Sequence, residues 1–197
     1  MSIELPQPRL PQTAVPRFLD YGGVLSPPGG GIGQQFIRPG RFAMVINYPR
    51  LRPDPDGRIL MSAIRRAKLE GALFPVPEPG IAAVAYGTPQ VNGVGQTGMS
   101  LQLKGLTPDI TILDGKFFSI IFGGRRYLHH ATADTAVTAG GSCLLPIFPM
   151  LRVSPNDSAT IELAKPYIEG TLGGSTVDVE LAIARATPAS LTITELA

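Results

Sequence analysis

The sequence predicts a mainly β protein: a β-sandwich with one α-helix, into which a small antiparallel β-barrel is inserted. Three observations predict it. From Phe117 to Leu163, short runs rich in β-branched and aromatic residues are separated by Gly123-Gly124, Gly140-Gly141 and Ser154-Pro155-Asn156-Asp157. Gly-Gly supplies the positive φ angles of a tight hairpin, and the polar foursome reads as a turn. The 20 prolines and 23 glycines punctuate apolar runs, which argues for short strands and against disorder. After Lys165-Pro166 the pattern alternates strictly, with Val177, Val179, Leu181 and Ile183 on one face and Asp178 and Glu180 on the other. Such alternation belongs to strands with one face on a core.

The elements follow in order. Residues 1–40 hold seven of the prolines and the PPGGGIG loop, Pro27 to Gly33. They read as an extended arm with short strands around Val15 to Asp20 and Gln34 to Ile37. The arm either crosses onto a neighbouring subunit or lies on its own domain, and the sequence leaves both open. Arg41 to Tyr48 is a buried strand ended by Pro49. Asp54-Pro55-Asp56-Gly57 places acidic residues at a helix start, where the macrodipole favours them. Ile59, Leu60, Ala63, Ile64 and Ala67 then form one apolar helical face, with Arg65, Arg66 and Lys68 beside it and Gly71 as the cap. Phe74 to Gly80 is a proline-stiffened connector, and Ile81 to Tyr86 reads as a further apolar strand.

Gly87 to Gly98 is a loop, which sets a domain boundary near residue 85. Met99 to Leu106 alternates, with Leu101 and Leu103 set against Gln102 and Lys104. The meander then runs to Ala164. Tyr167 to Leu172, Thr176 to Ala184 and, after an Ala186-Thr187-Pro188-Ala189 break, Leu191 and Ile193 complete the first domain. Residues 1–84 and 166–197 are thus assigned to the sandwich and residues 85–165 to the inserted barrel.

Composition narrows the classes of function. Hydrophobic residues make up 44% of the 197 and charged residues 16%, below the usual quarter. So little charge suits a subunit that buries apolar surface against others. The net charge of +2 is too balanced for a nucleic-acid binder, and no basic stripe with interleaved aromatics occurs. The one cysteine, Cys143, excludes an intrachain disulfide and fits a reducing cytoplasm. Three prolines in the first eleven residues argue against a conventional signal peptide. No unbroken apolar run of about 18 residues is present to span a membrane. The expectation is a soluble chain made in the cytoplasm.

The chemical motifs are weak. Gly93 to Gly98 matches GxGxxG, but a strand pattern and Pro108 follow where the dinucleotide fingerprint needs a helix. His129 and His130 are neighbours on a strand and point to opposite faces, so they do not converge on one metal. The doublet reads as structural, half-buried beside Tyr127. Cys143 reads as a small buried residue, although a histidine across a hairpin would give a nucleophile its base. Asp54, Asp56, Asp109 and Asp114 suit turns and caps, and nothing pairs them across a cleft. Arg125, Arg126 and Tyr127 form a candidate surface patch for a partner or a glycan; the plainer alternative is an exposed hairpin start with Tyr127 packed inward. No catalytic, metal or cofactor site is assigned.

GKFFSIIFGGRRYLHHATAD (115–134), GGSCLLPIFPMLRVSPND (140–157) and IELAKPYIEGTL (161–172) together resemble a segment of tail-tip proteins of tailed bacteriophages and prophages. The likeness covers about residues 98–172. The segment order, sandwich then barrel then sandwich, is similar to that of siphophage distal tail proteins. That resemblance implies an oligonucleotide/oligosaccharide-fold-like barrel and a homo-hexameric ring between the tail-tube protein and the tail-tip hub. It implies a virion protein assembled in the host cytoplasm, a platform for receptor-binding proteins, and DNA only as passing cargo. Two other readings stand beside it. One is a carbohydrate-binding or adhesin module using Tyr127 or Tyr86, which the absence of Trp weakens. The other is a small hydrolase using Cys143 or the histidines.

Overall fold

Strands dominate the structure, because apolar residues alternate with polar ones along most of the chain. The computed structural model describes residues 2–82, 84–174, 179–182, 185–188 and 190–196. Its strands in chain order are β1 (Ile3–Glu4), β2 (Thr13–Leu19), β3 (Gly23–Leu25), β4 (Gln34–Phe36), β5 (Arg41–Asn47), β6 (Ala72–Pro75), β7 (Gly87–Val91), β8 (Ser100–Leu106) and β9 (Thr111–Ile112). There follow β10 (Phe117–Phe122), β11 (Arg125–Ala131), β12 (Thr135–Ala136), β13 (Cys143–Phe148), β14 (Ile161–Glu162), β15 (Tyr167–Leu172), β16 (Val179–Ala182), β17 (Arg185–Pro188) and β18 (Leu191–Glu195). The helix α1 (Arg58–Glu70) lies between β5 and β6. The mainly β expectation, with one helix and a small antiparallel barrel, holds.

The first six-stranded sheet runs β1-β6-β15-β18-β5-β2, and only the β1–β6 pair is parallel. Alternation puts Phe42, Met44 and Ile46 of β5 in one core with Ala72 and Phe74 of β6, Ile168 and Leu172 of β15, and Leu191 and Ile193 of β18. The helix adds Leu60, Ile64 and Ala67 to that core. Gly71, at φ 94°, closes the helix with its N–H on the Ala67 carbonyl. Lys68 Nζ donates to the carbonyls of Leu172 (3.0 Å), Gly173 and Gly174, tying the helix end to the end of β15.

The second sheet, β14-β10-β11-β13-β8-β7, curls until β7 meets the segment before β14. Val91 N donates to Ala159 O (3.0 Å), and Ser158 N donates back to Val91 O (2.9 Å). Inside the resulting barrel lie Val91, Leu101, Leu103, Phe118, Ile120, Leu145, Ile147 and Ile161. The β10–β11 hairpin turns on Gly123 (φ 59°) and Gly124 (φ 74°). Two successive positive φ angles make the turn whose twist matches its strands.

The barrel docks on the sheet through β10 and β11. Leu128 of β11 belongs to the first core, with Phe117 and Phe148 packed against it. Before Gly170, β18 does not accompany β15, and Ser119 of β10 fills the gap. Its Oγ donates to Tyr167 O (2.8 Å) and accepts from Tyr167 N (2.6 Å).

Several local expectations are corrected. The described residues of Ile81 to Tyr86 form no strand; Thr107 holds this segment as a barrel cap, its N–H on Tyr86 O and its hydroxyl on Ala85 O. The strand lies earlier, at Ala72–Pro75: Ala72 and Leu73 pair with both β1 and β15, and Phe74 and Pro75, the start of the expected connector, pair with β15. Ile59 is exposed, because its position turns away from the buried Leu60 and Ile64. Ala186 to Pro188 is no break but part of β17, paired with β16. Of Thr176 to Ala184, only 179–182 are described and are strand; residues 176–178, 183 and 184, like Ala189, lie outside the described residues.

Candidate assembly surface

The surface most in need of a partner is in the N-terminal arm. Seventeen residues, Tyr21 to Ile37, separate Asp20 from Arg38 without one charge. Within them β3 and β4 pair as a two-stranded ribbon that joins neither large sheet, and every residue of both strands is exposed. Val24 is 68% exposed, Ile37 65%, and Ile32, in the loop between the strands, 93%. An isolated two-stranded ribbon is marginal in water, and apolar residues on such a ribbon mark an interaction surface.

At the base of the ribbon a groove of about 340 Å³ runs between the arm and the barrel. Phe18, Phe36 and Ile37, with the charged Asp20 and Arg38, line the arm side, and Met99, Phe148, Pro149 and Met150 the other. Its floor is an aromatic cluster. The Phe18 ring lies 4.5 Å from Phe148 and 5.9 Å from Phe42, and His130 lies 5.4 Å from Phe148. Gly40 makes room for this, since a Cβ there would lie 2.1 Å from Phe18 Cζ. Sequence reasoning found the arm and the strand at Gln34 but missed its partner, Gly23–Leu25. The available signal was the uncharged run itself.

The candidate patch Arg125, Arg126 and Tyr127 does not form one face. Arg125 is exposed beside the hairpin turn. Arg126 bridges the two sheets: Nε and Nη2 donate to Glu162 (2.9 and 3.2 Å), and Nη1 lies 3.5 Å from Glu169. Burial alone would lower the Arg126 guanidinium, but Glu162 and Glu169 outweigh it and hold its pKa up. Tyr127 packs against the barrel core, with the Arg152 guanidinium 5.2 Å above its ring. Tyr86 is buried, so neither tyrosine named for sugar stacking offers an open face.

The histidines do point to opposite sides, as expected. His129, expected to be half-buried, is instead fully enclosed: it stacks on Phe118 and donates from Nδ1 to Pro149 O at 2.9 Å. Burial, aided by nearby Arg152 and His130, pushes its pKa down to about 3, so the ring is neutral. Burial pushes the Cys143 thiol up to about 11, away from the thiolate that nucleophilic chemistry needs.

The GxGxxG segment is a loop. Gln96 ties it together by accepting from Gln102 N (2.6 Å) and donating to Asn92 O (2.8 Å). The Gly93 amide is held by Asp157 (2.8 Å), which also pairs with Lys104 (2.7 Å). The Lys104 hydrogen bond, with those from Gly93 and Ser158, holds the Asp157 carboxyl far below its usual range.

The four aspartates serve turns. Asp54 pairs with Arg58, Asp109 takes a left-handed φ of 58°, and Asp114 N donates to Asp134; Asp56 lies in the turn that leads into α1. Among the described residues no cluster of three His, Cys, Asp or Glu is placed to hold a metal. None of their helices is long and apolar enough to cross a membrane.

A buried polar junction that sequence reasoning missed lies where barrel and sheet meet. Glu195 Oε1 accepts from Leu128 N (2.6 Å) and Oε2 from Phe42 N (2.7 Å). Arg152 Nη2 lies 2.9 Å from Oε2 but off the line of a hydrogen bond, so that contact is an ion pair. A second enclosed pair, Lys116 with Glu78, fixes the connector to the barrel, and Glu78 also accepts from Phe117 N (2.8 Å). A scan against protein-family models matches none, and a search of curated proteins finds no similar one.

Proposed function

We propose that the chain is a structural subunit of a bacteriophage tail tip, a distal tail ring joining the tail tube to the tip hub and carrying receptor-binding proteins. The observation that carries this reading is the exposed, uncharged β3–β4 ribbon beside a groove with an apolar wall of Met99, Phe148, Pro149 and Met150. An assembling subunit needs such surfaces, and a freely diffusing monomer is harmed by them. The low charge of the chain and the resemblance of residues 98–172 to tail-tip segments support the same reading. In it the barrel faces outward and the arm-bearing sheet forms the ring wall.

Negative-stain imaging of the purified protein tests the reading. Closed rings, six-fold by the resemblance, are the expected result. A protein that stays monomeric at every soluble concentration and is missing from purified tails would overturn it.

A further inference from the structure

Resting on the reading of the chain as a ring subunit, we propose that the β3–β4 ribbon docks on a second copy of this chain. Ile32 at its tip then seats in the neighbour's groove, against Phe18, Met99 and Met150. Four observations carry the choice of occupant. The ribbon has only three residues in each strand, all of them exposed, whereas independent stability takes three or more strands or a packed face. Both outer edges of the ribbon lie outside the large sheets, and such edges invite pairing with another chain.

The third observation is charge. Tyr21 to Ile37 carry none, which disfavours nucleic acid, anionic lipid and any partner recognised by ion pairs. The same molecule supplies a matching uncharged wall in Met99, Phe148, Pro149 and Met150, while the charges that line the groove, Asp20 and Arg38, belong to its arm side and are of opposite sign. The fourth is size. The seventeen ribbon residues form one side of such a contact, a little short of the roughly 20–30 residues a side of a stable interface.

Tip and groove are different surfaces of one chain. Each copy therefore gives one contact and receives another, a head-to-tail arrangement that closes into a ring when the rotation allows. A neighbour's ribbon in the groove would lie beside the resident one, where edge pairing widens the two-stranded sheet.

The test uses the full chain and two variants, Ile32→Asp on the tip and Met99→Asp on the groove wall. Both side chains are exposed in the single chain, Ile32 at 93% and Met99 at 48%, so both variants should keep the wild-type circular dichroism spectrum. In sedimentation velocity the wild type is expected to assemble and each variant to remain monomeric. An equimolar mixture should stop at a dimer, because Ile32→Asp still offers an intact groove and Met99→Asp an intact tip. Wild-type rings that persist in both variants would overturn the docking and leave the ring reading standing. A mixture that stays monomeric would overturn the tip-to-groove pairing. Open filaments that need Ile32 would support the docking and overturn the ring; a monomeric wild type would overturn the docking, and one also missing from purified tails would overturn the ring reading as well.

Discussion

Glu195 holds two sheets with one carboxylate. One oxygen takes an amide of the barrel, the other an amide of the first sheet, and Arg152 balances the charge. Burial raises its pKa, opposed by Arg152 and the two amides. Removing one member of a buried pair typically costs about 3–5 kcal/mol. Glu195→Ala is therefore expected to lower stability by about that much, read as the midpoint of urea unfolding. His129 makes the fold sensitive to acid. The folded ring resists protonation down to about pH 3, while the unfolded ring takes a proton near its ordinary pKa of about 6.5. Between those values the unfolded chain binds the extra proton, so stability falls as pH falls, by up to about 1.4 kcal/mol per unit. Glu195, with a raised pKa, acts in the opposite direction just above the usual carboxylate range. His129→Asn cannot take the proton and should flatten the decline, as urea midpoints from pH 7 to pH 4 would show. That the doublet splits across a strand was legible from the period of two. Its enclosure was not, because Phe118 comes from β10 and Pro149 and Arg152 from the segment after β13, well apart in the chain.

At the scale of elements, strands with a clean period or a glycine turn were readable, as Met99 to Leu106 and the Gly123-Gly124 hairpin show. Where apolar residues ran together without a period, hydrophobicity did not separate a ladder from a packed loop. Ile81 to Tyr86 buries Tyr86 without pairing, while Ala72–Pro75, hidden behind a helix cap and beside a proline, pairs on both edges. Pairing itself is set by close approach that one strand does not advertise. A Cβ on Gly170 would lie 1.9 Å from the Thr194 carbonyl oxygen. Gly170→Ala must therefore push β18 away from β15, at a cost of about 1–3 kcal/mol. A lowered melting temperature by circular dichroism is the expected result, and an unchanged one would contradict the observed spacing.

For the whole molecule, the two cores interlock. Leu128 of the barrel is part of the core of the first sheet, and Phe117 and Phe148 press on it. Ser119, Glu195 and Arg126 add polar ties across the same boundary. Sheet and barrel are accordingly expected to unfold together. Far-UV circular dichroism and tyrosine fluorescence, usable because the chain has no Trp, should give coincident denaturation curves; two separated transitions would show that the interlock is weak. The candidate surface was half legible. An extended proline-rich arm could be read directly, but the groove needs Phe18 beside Met99 and Phe148, a meeting that only the folded chain creates.

The place of β18 in its sheet bears on how the protein is made. It lies between β15 and β5, yet its residues leave the ribosome after those of every other strand in that sheet. The barrel strands, finished by Glu162, can pair while translation continues. Met44, Ile46 and the inner helix face must wait for Leu191 and Ile193. Between the emergence of Leu172 and that of Leu191, the nascent chain carries a barrel whose strands are all present beside a sheet split down its middle.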